Sequence, residues 1–255
     1  MKKYINMPLE NIMYPLKHMI EKEGIVEYIR DYYAAVNGNL NMLYTEENFY
    51  IAEDSTYQKW LSIMGNFSND IPKQKLYDML SSYVKDEKYI AVYTNNNEIA
   101  EFLQSFNSLT YHEDFAVAYI SEIPDIDKRG IHLATISDLP FIEKTYHRAK
   151  YNQLLNRIRE KQMWVLSDDN EIKGYAGIHK DCSLGFEYVA PNFRRQNIGT
   201  RMQFFIAEEM VKNNMIPYVM ISVENDIGIN LQKKLGSHFA EKLFYFFAKG
   251  AYEFE

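Results

Sequence analysis

The spacing of apolar residues switches repeatedly between helical and strand periods along this chain. Glu21 to Val36 reads as a helix with Ile25, Tyr28, Ile29 and Tyr32 on one face. Met42 to Tyr44 and Phe49 to Ala52 read as a hairpin around Thr45-Glu46-Glu47-Asn48. Ser68-Asn69-Asp70 followed by Ile71-Pro72 is a helix start, and Leu76, Met79, Leu80 and Val84 form its buried stripe. Tyr89 to Tyr93 predicts a strand, Glu98 to Phe106 a helix and Phe115 to Ile120 a further strand. Ile123-Pro124-Asp125-Ile126-Asp127-Lys128-Arg129-Gly130 reads as a linker, so an N-terminal α/β domain over 1–128 precedes a second domain over 129–255.

In the second domain, Trp164-Val165-Leu166 and Lys173-Gly174-Tyr175-Ala176-Gly177 flank a turn at Asp168-Asp169-Asn170. Phe186, Tyr188 and Val189 mark a strand, and Met202, Phe205, Ile206 and Met210 a helical stripe. Ile216 to Val223 reads as a buried strand with Pro217 near its start, where a missing donor is tolerated. A short helix from about Ile227 stops at Gly236, and Leu243 to Phe247 forms a last strand.

Composition narrows the class. At 255 residues and 47% hydrophobic content, two modest cores are affordable, and 21 Tyr with 15 Phe exclude a disordered chain. The net charge of −7 is uneven: residues 1–129 carry 12 Lys+Arg against 20 Asp+Glu, whereas the remainder is nearly balanced. That balance argues against nucleic acid as a partner, since gripping phosphates needs clustered positive charge. Lone Cys182 excludes internal disulfides, and six scattered His show no metal-ligand spacing. No eighteen-residue apolar run occurs, and Met1-Lys2-Lys3 leads into no apolar signal region. A cytoplasmic protein with no membrane partner is therefore expected.

The most specific feature is Val189-Ala190-Pro191-Asn192-Phe193-Arg194-Arg195-Gln196-Asn197-Ile198-Gly199-Thr200. A strand breaks at proline, turns through two arginines and opens an amphipathic helix. The first amides of such a helix lack intrahelical partners, and the helix dipole favours an anion there. Glycine permits close approach of a phosphate, and Asn197 tolerates the left-handed conformation. No Gly-Lys-Ser/Thr follows, which removes a nucleoside-triphosphate loop, and no Gly-x-Gly-x-x-Gly supports a dinucleotide site.

This run resembles motif A of the GNAT superfamily of N-acyltransferases, Val-x-Pro-x-x-Arg/Gln-x-x-Gly-x-Gly/Ala. Val189, Pro191, Arg194 and Gly199 match in register, and Asn197 replaces the first glycine. The segment from Asn225 to Gly236 resembles motif B, and the hairpin before motif A is in place. The glycine N-acyltransferase-like branch is most similar; it often carries an extra N-terminal domain, in some members a degenerate copy of the same fold. The resemblance implies a mixed α/β sheet whose fourth and fifth strands splay around pantetheine. Tyr188 and Val189 would bond that arm, and Arg194, Arg195, Gln196, Asn197, Ile198, Gly199 and Thr200 would hold the pyrophosphate. Asn225 and Asn230 complete the implied coenzyme set. The implied activity is transfer of an acetyl or short acyl group from acetyl-CoA to a primary amine, by direct attack in a ternary complex without a metal. The rival is a non-catalytic acyl-CoA-binding sensor. A small-molecule amine is the expected partner, and the N-terminal domain would supply substrate wall or a homodimer face.

Amine transfer needs a base, and Glu187 is the carboxylate on the fourth strand; by alternation it shares a face with Gly185 and Val189. His179 and Asp181 are alternatives, while Ser183 stands where related enzymes often place a base and cannot act as one. The family's usual acid, a motif B tyrosine, is replaced by Gln232; Tyr245 is a substitute or simply core. Cys182, without a flanking His or Lys, reads as a small buried hydrophobe, His147 as an exposed helix residue, and His238 as packing beside Gly236.

Overall fold

A computed structural model describes residues 9–248 apart from 11, 67–72, 86–90, 120–122 and 170. The chain divides into two compact units, one made of Ala118–Val219 and the other of the residues before it together with 220–248. The observed division differs from the boundary expected at 128/129 in two respects, the first being that it falls at 117/118. The second is that residues 220–248, with the end of the penultimate strand, the last helix and the last strand, join the N-terminal half.

In that larger unit, α1 (Leu16–Glu23) and α2 (Ile29–Val36) are joined by a 3-10 turn at Val26–Tyr28. The single helix expected over 21–36 is interrupted at Gly24, whose φ of 106° ends the first segment. β1 (Leu40–Glu46) and β2 (Phe49–Asp54) form the expected hairpin, with Glu46 opposite Phe49. β3 (Trp60–Gly65) pairs antiparallel with β2 and is buried along its whole length. Nothing in its apolar run alternates, and periodicity alone did not reveal it. Its end requires glycine: Gly65 has φ 87°, and an added Cβ would lie 2.1 Å from the Asn48 carbonyl oxygen.

α3 (Lys73–Lys85), β4 (Ala91–Thr94), α4 (Asn97–Gln104) and β5 (Leu109–Ala118) follow. The predicted helix start at Ser68–Pro72, the turn residue Asn170, and residues 89–90 and 120 of two predicted strands lie outside the described residues, as does the Val84 side chain. Asn96 caps α4, accepting from Ile99 N–H at 3.1 Å. Phe49, Ile51, Leu61, Ile63, Leu76, Leu80, Val92, Ile99, Leu103 and Phe246 make the core of this unit.

The second unit begins with β6 (Ile131–Leu133), then α5 (Leu139–Thr145) and α6 (Tyr151–Arg159). β7 (Met163–Asp168), β8 (Glu171–Ile178) and β9 (Leu184–Val189) complete an antiparallel sheet ordered β6-β7-β8-β9. α5 and α6 cover one face through Leu139, Ile142, Leu154 and Ile158. α7 (Ile198–Lys212) covers the other through Ile198, Met202, Ile206 and Met210. That stripe is the one read from the sequence.

β10 (Tyr218–Ser222), α8 (Asp226–Lys234) and β11 (His238–Ala248) close the chain. Both strands enter a seven-stranded sheet ordered β1-β2-β3-β4-β11-β5-β10. β9 and β10 accordingly lie in different sheets and do not pair.

The element order repeats. Among the described residues, two helices, three antiparallel strands, a helix, a strand, a helix and a strand run from α1 to β5 and again from α5 to β11. The two runs differ at the junction of their third and fourth strands. β3 pairs in parallel with β4 along all of Ala91–Thr94, whereas β9 and β10 are unpaired.

Candidate active site

Strand β9 is irregular where it carries its carboxylate. Tyr175 faces Tyr188 and Gly177 faces Gly185, so Phe186 and Glu187 together oppose Ala176. Phe186 takes φ 52°, and the strand bulges there. The extra residue corrects the expected alternation. Leu184 and Val189 pack on the α7 side, while Phe186 and Tyr188 turn to the α5–α6 side. Gly185 lies against the His179 ring, where an added Cβ would fall 2.1 Å from Nε2. Glu187 keeps company with Val189 but not with Gly185.

Glu187 points toward α7 and accepts a hydrogen bond from the Gln203 side chain. Glu187 is exposed as a residue, yet protein atoms surround its carboxyl. That lost hydration pushes its pKa up to about 7, against the opposing pull of the Gln203 bond. Gln203 is buried and accepts from Tyr119 Oη at 2.6 Å.

After Val189 the chain makes a 3-10 turn at Pro191–Phe193 and an exposed turn through Arg194 to Asn197. Arg194 Nε donates to the Val189 carbonyl at 3.2 Å, and Gln196 Nε2 to the Asn192 carbonyl at 3.1 Å, tying the turn to the strand it leaves. Arg195 and Asn197 adopt φ of 60° and 61°. Asn197 thus takes the left-handed conformation its identity allows, and no side chain caps α7. Ile198 anchors the helix in the core. Among the described residues, none accepts from the amides of residues 195–200; the first bond is Arg201 N–H to the Asn197 carbonyl at 2.9 Å. A cavity of about 520 Å³ opens beside this turn, lined by Phe141, Tyr188, Pro191, Phe193 and Glu171. It lies on the Tyr188 side of β9, away from Glu187.

The remaining predicted residues are engaged elsewhere. Asn225 caps α8, its Oδ1 accepting from Gly228 N–H at 3.0 Å, and Asn230 is exposed on that helix. Gln232 is buried and accepts from Ser237 Oγ at 2.8 Å, bracing the turn that ends α8 at Gly236. Tyr245 is buried on β11 opposite Tyr93, with ring centroids 5.7 Å apart and Trp60 at 6.3 Å. These four belong to the larger unit, and the loop and Glu187 to the other.

Asp181 accepts from the Ser183 amide at 3.0 Å and hydroxyl at 2.6 Å, so both serve the β8–β9 turn. Cys182 sits in that turn with φ 67° and is half-buried. The His179 ring packs on Phe186 at 4.0 Å. His147 is exposed, in a turn past the end of α5 rather than on a helix, and His238 is exposed. Among the described residues, no group of three His, Cys, Asp or Glu could hold a metal, and no helix is long and apolar enough to cross a membrane.

Sequence reasoning missed Gln203 and Tyr119. One signal was available: position 203 falls on the buried stripe of α7, and a polar residue there calls for a partner.

Residues 122–226 match the model of an acetyltransferase (GNAT) domain. No curated protein matches the chain. Among solved structures, a Drosophila protein is similar at 13% identity and TM-score 0.63, over 91% of this chain and 94% of that one. A GCN5-related N-acetyltransferase from Kribbella flavida follows at 11% identity and TM-score 0.57, over 89% and 97%. An acetyltransferase from the GNAT family of Colwellia psychrerythraea is similar at 12% and 0.54, over 81% and 84%. Domain match and structural likeness agree that this chain carries the GNAT superfamily acetyltransferase fold, at low identity.

Proposed function

We propose that the protein is an acyl-CoA-dependent N-acetyltransferase that moves an acetyl or short acyl group onto a small primary amine by direct attack. The observation that carries this reading is the run of amides from Arg195 to Thr200. No described residue accepts from them, they stand at the head of a 15-residue helix, and the strand before them bears Glu187.

The residues fit the coenzyme. Amides at a helix start suit a diphosphate, and Arg194 and Arg195 add positive charge. A Cβ on Gly199 would meet only Val189 Cγ2, at 3.7 Å, so the backbone there is open to approach. β9 is a sheet edge, and its main chain at Tyr188 and Val189 suits the amide-bearing pantetheine arm. When bound, acetyl-CoA would supply a thioester carbonyl. Glu187, with a carboxyl titrating near neutrality, accepts the proton the amine must lose. The bulge takes Phe186 and Glu187 out of regular pairing with β8. Gln232 and Tyr245 receive no catalytic role, since one braces a turn and the other packs in an aromatic cluster. A thiol of reference pKa about 8.5 leaves acceptably as thiolate. A sensor would have no use for a carboxyl poised in this way.

We also infer that the N-terminal half is a degenerate copy of the same fold, as the repeated element order suggests. Its β3 and β4 are paired where a pantetheine arm would need them parted, so one coenzyme site is expected. Calorimetry tests the reading. Acetyl-CoA should give heat and ATP none, followed by thiol release across an amine panel. Heat with ATP alone would overturn it.

A further inference from the structure

α7 presents an apolar stripe to its sheet, and Gln203 is the polar side chain set into that buried surface. A buried primary amide has two donors and an acceptor to satisfy. Its oxygen takes the Tyr119 hydroxyl at 2.6 Å, and its other side meets Glu187. Tyr119 is itself buried. Its N–H donates to the Pro217 carbonyl at 2.9 Å, and its ring meets Phe204 edge-on at 6.1 Å.

The chemistry of the three groups sets the direction of the bonds. An ionised carboxylate only accepts, so it needs the NH₂ of Gln203. The amide oxygen is then left for a donor, and Tyr119 is one. A protonated Glu187 could still accept the same N–H through its carbonyl oxygen, but a neutral acceptor binds it more weakly than a charged one. The wiring therefore suits the ionised carboxylate and opposes what crowding does to it.

We propose that Tyr119 and Gln203 form a positioning relay that keeps the Glu187 carboxylate aimed and able to accept a proton. The inference rests on reading Glu187 as the base. Among the described residues of this unit, those placed against Glu187 are Gln203 from α7, Tyr119 behind it and Ala176 across the sheet, and none carries a charge at neutral pH. The charged residues further along α7 are occupied elsewhere: Arg201 bonds the Asp127 carbonyl, and Glu208 pairs with Lys128 and Lys212.

The test is a carbon-13 NMR titration of protein labelled at glutamate Cδ, with the Glu187 signal identified by its loss in Glu187→Gln. The wild-type midpoint is expected near 7, and Gln203→Met and Tyr119→Phe should each raise it by about one pH unit. Tyr119→Phe removes a single oxygen and keeps the ring, so it decides the matter if Gln203→Met does not fold. A midpoint unmoved in folded Tyr119→Phe overturns the relay, because a merely structural role would lower melting temperature without touching the titration. Acetyl-CoA calorimetry on the same proteins separates the two readings. Equal affinity in wild type and variants is expected, whereas no binding to wild type removes the coenzyme reading and leaves the NMR midpoints to judge the relay.

Discussion

At the scale of single residues, two positions separate chemistry from folding. As the proposed base, Glu187 must be ionised to take a proton, and its raised pKa means that protonation would remove it below about pH 7. kcat/KM should therefore rise with pH up to that point and level off above it. Glu187→Gln should abolish this limb and lower kcat by about 10²–10⁴-fold, with acetyl-CoA affinity unchanged in calorimetry. Gly199 tests the coenzyme loop independently. Its φ is not positive and an added methyl group finds room, so Gly199→Ala should hold or slightly raise the melting temperature. Acetyl-CoA affinity should fall by about tenfold or more, because that methyl group stands where a phosphate would approach. Unchanged affinity would remove the amides of this turn from the site.

At the scale of elements, a buried polar knot ties α2 to the first sheet. Asp31 of α2, with no exposed surface, accepts from Tyr50 of β2, Tyr93 of β4 and Ser62 Oγ of β3, the last at 2.9 Å. Burial drives its pKa up from 3.8 to about 6, opposed by the tyrosine hydrogen bonds and reinforced by nearby Asp54. The sign follows from proton counting. Between those values the folded state binds the proton that the unfolded state has released, so this group's contribution to stability is present below about pH 4 and declines as pH rises through 6. Denaturation of wild type against Asp31→Asn should show that decline in the difference between them, with no further change above pH 7. A difference that grew with pH would show that the carboxyl is stabilised in its charged form instead.

The elements also show what patterning could reach. The β1–β2 hairpin, the β7–β8 hairpin and α7 were legible because each has one solvated side and a clear period. β3 was not, since a strand buried on both faces has no alternation to read. The β9 bulge was not either. It is a property of register between two strands, and the sequence of one strand does not contain it.

At the scale of the whole molecule, the repeated order of elements predicts a number. In the first run β3 and β4 pair in parallel, whereas β9 and β10 lie in separate sheets, so on the proposed reading acetyl-CoA should bind with a stoichiometry of one per chain. Calorimetry returning two equivalents would refute the view that the N-terminal copy has lost its site. The same scale explains why the expected domain boundary moved. A boundary read from a proline-containing linker follows the chain, whereas cores follow strand pairing, and β11 pairs with β4 across most of the sequence.

Local chemistry written into consecutive residues determined the strand–turn–helix run, the left-handed Asn197, the apolar stripe of α7 and the family resemblance. These depend on short-range sterics and periodicity, which a single sequence displays in full. Folding alone decided which groups meet. Long-range packing placed Gln203 between Tyr119 and Glu187, moved Gly185 off the Glu187 face, and drew Gln232 and Tyr245 into structural contacts, because burial and hydrogen-bond satisfaction are settled between segments distant in the chain.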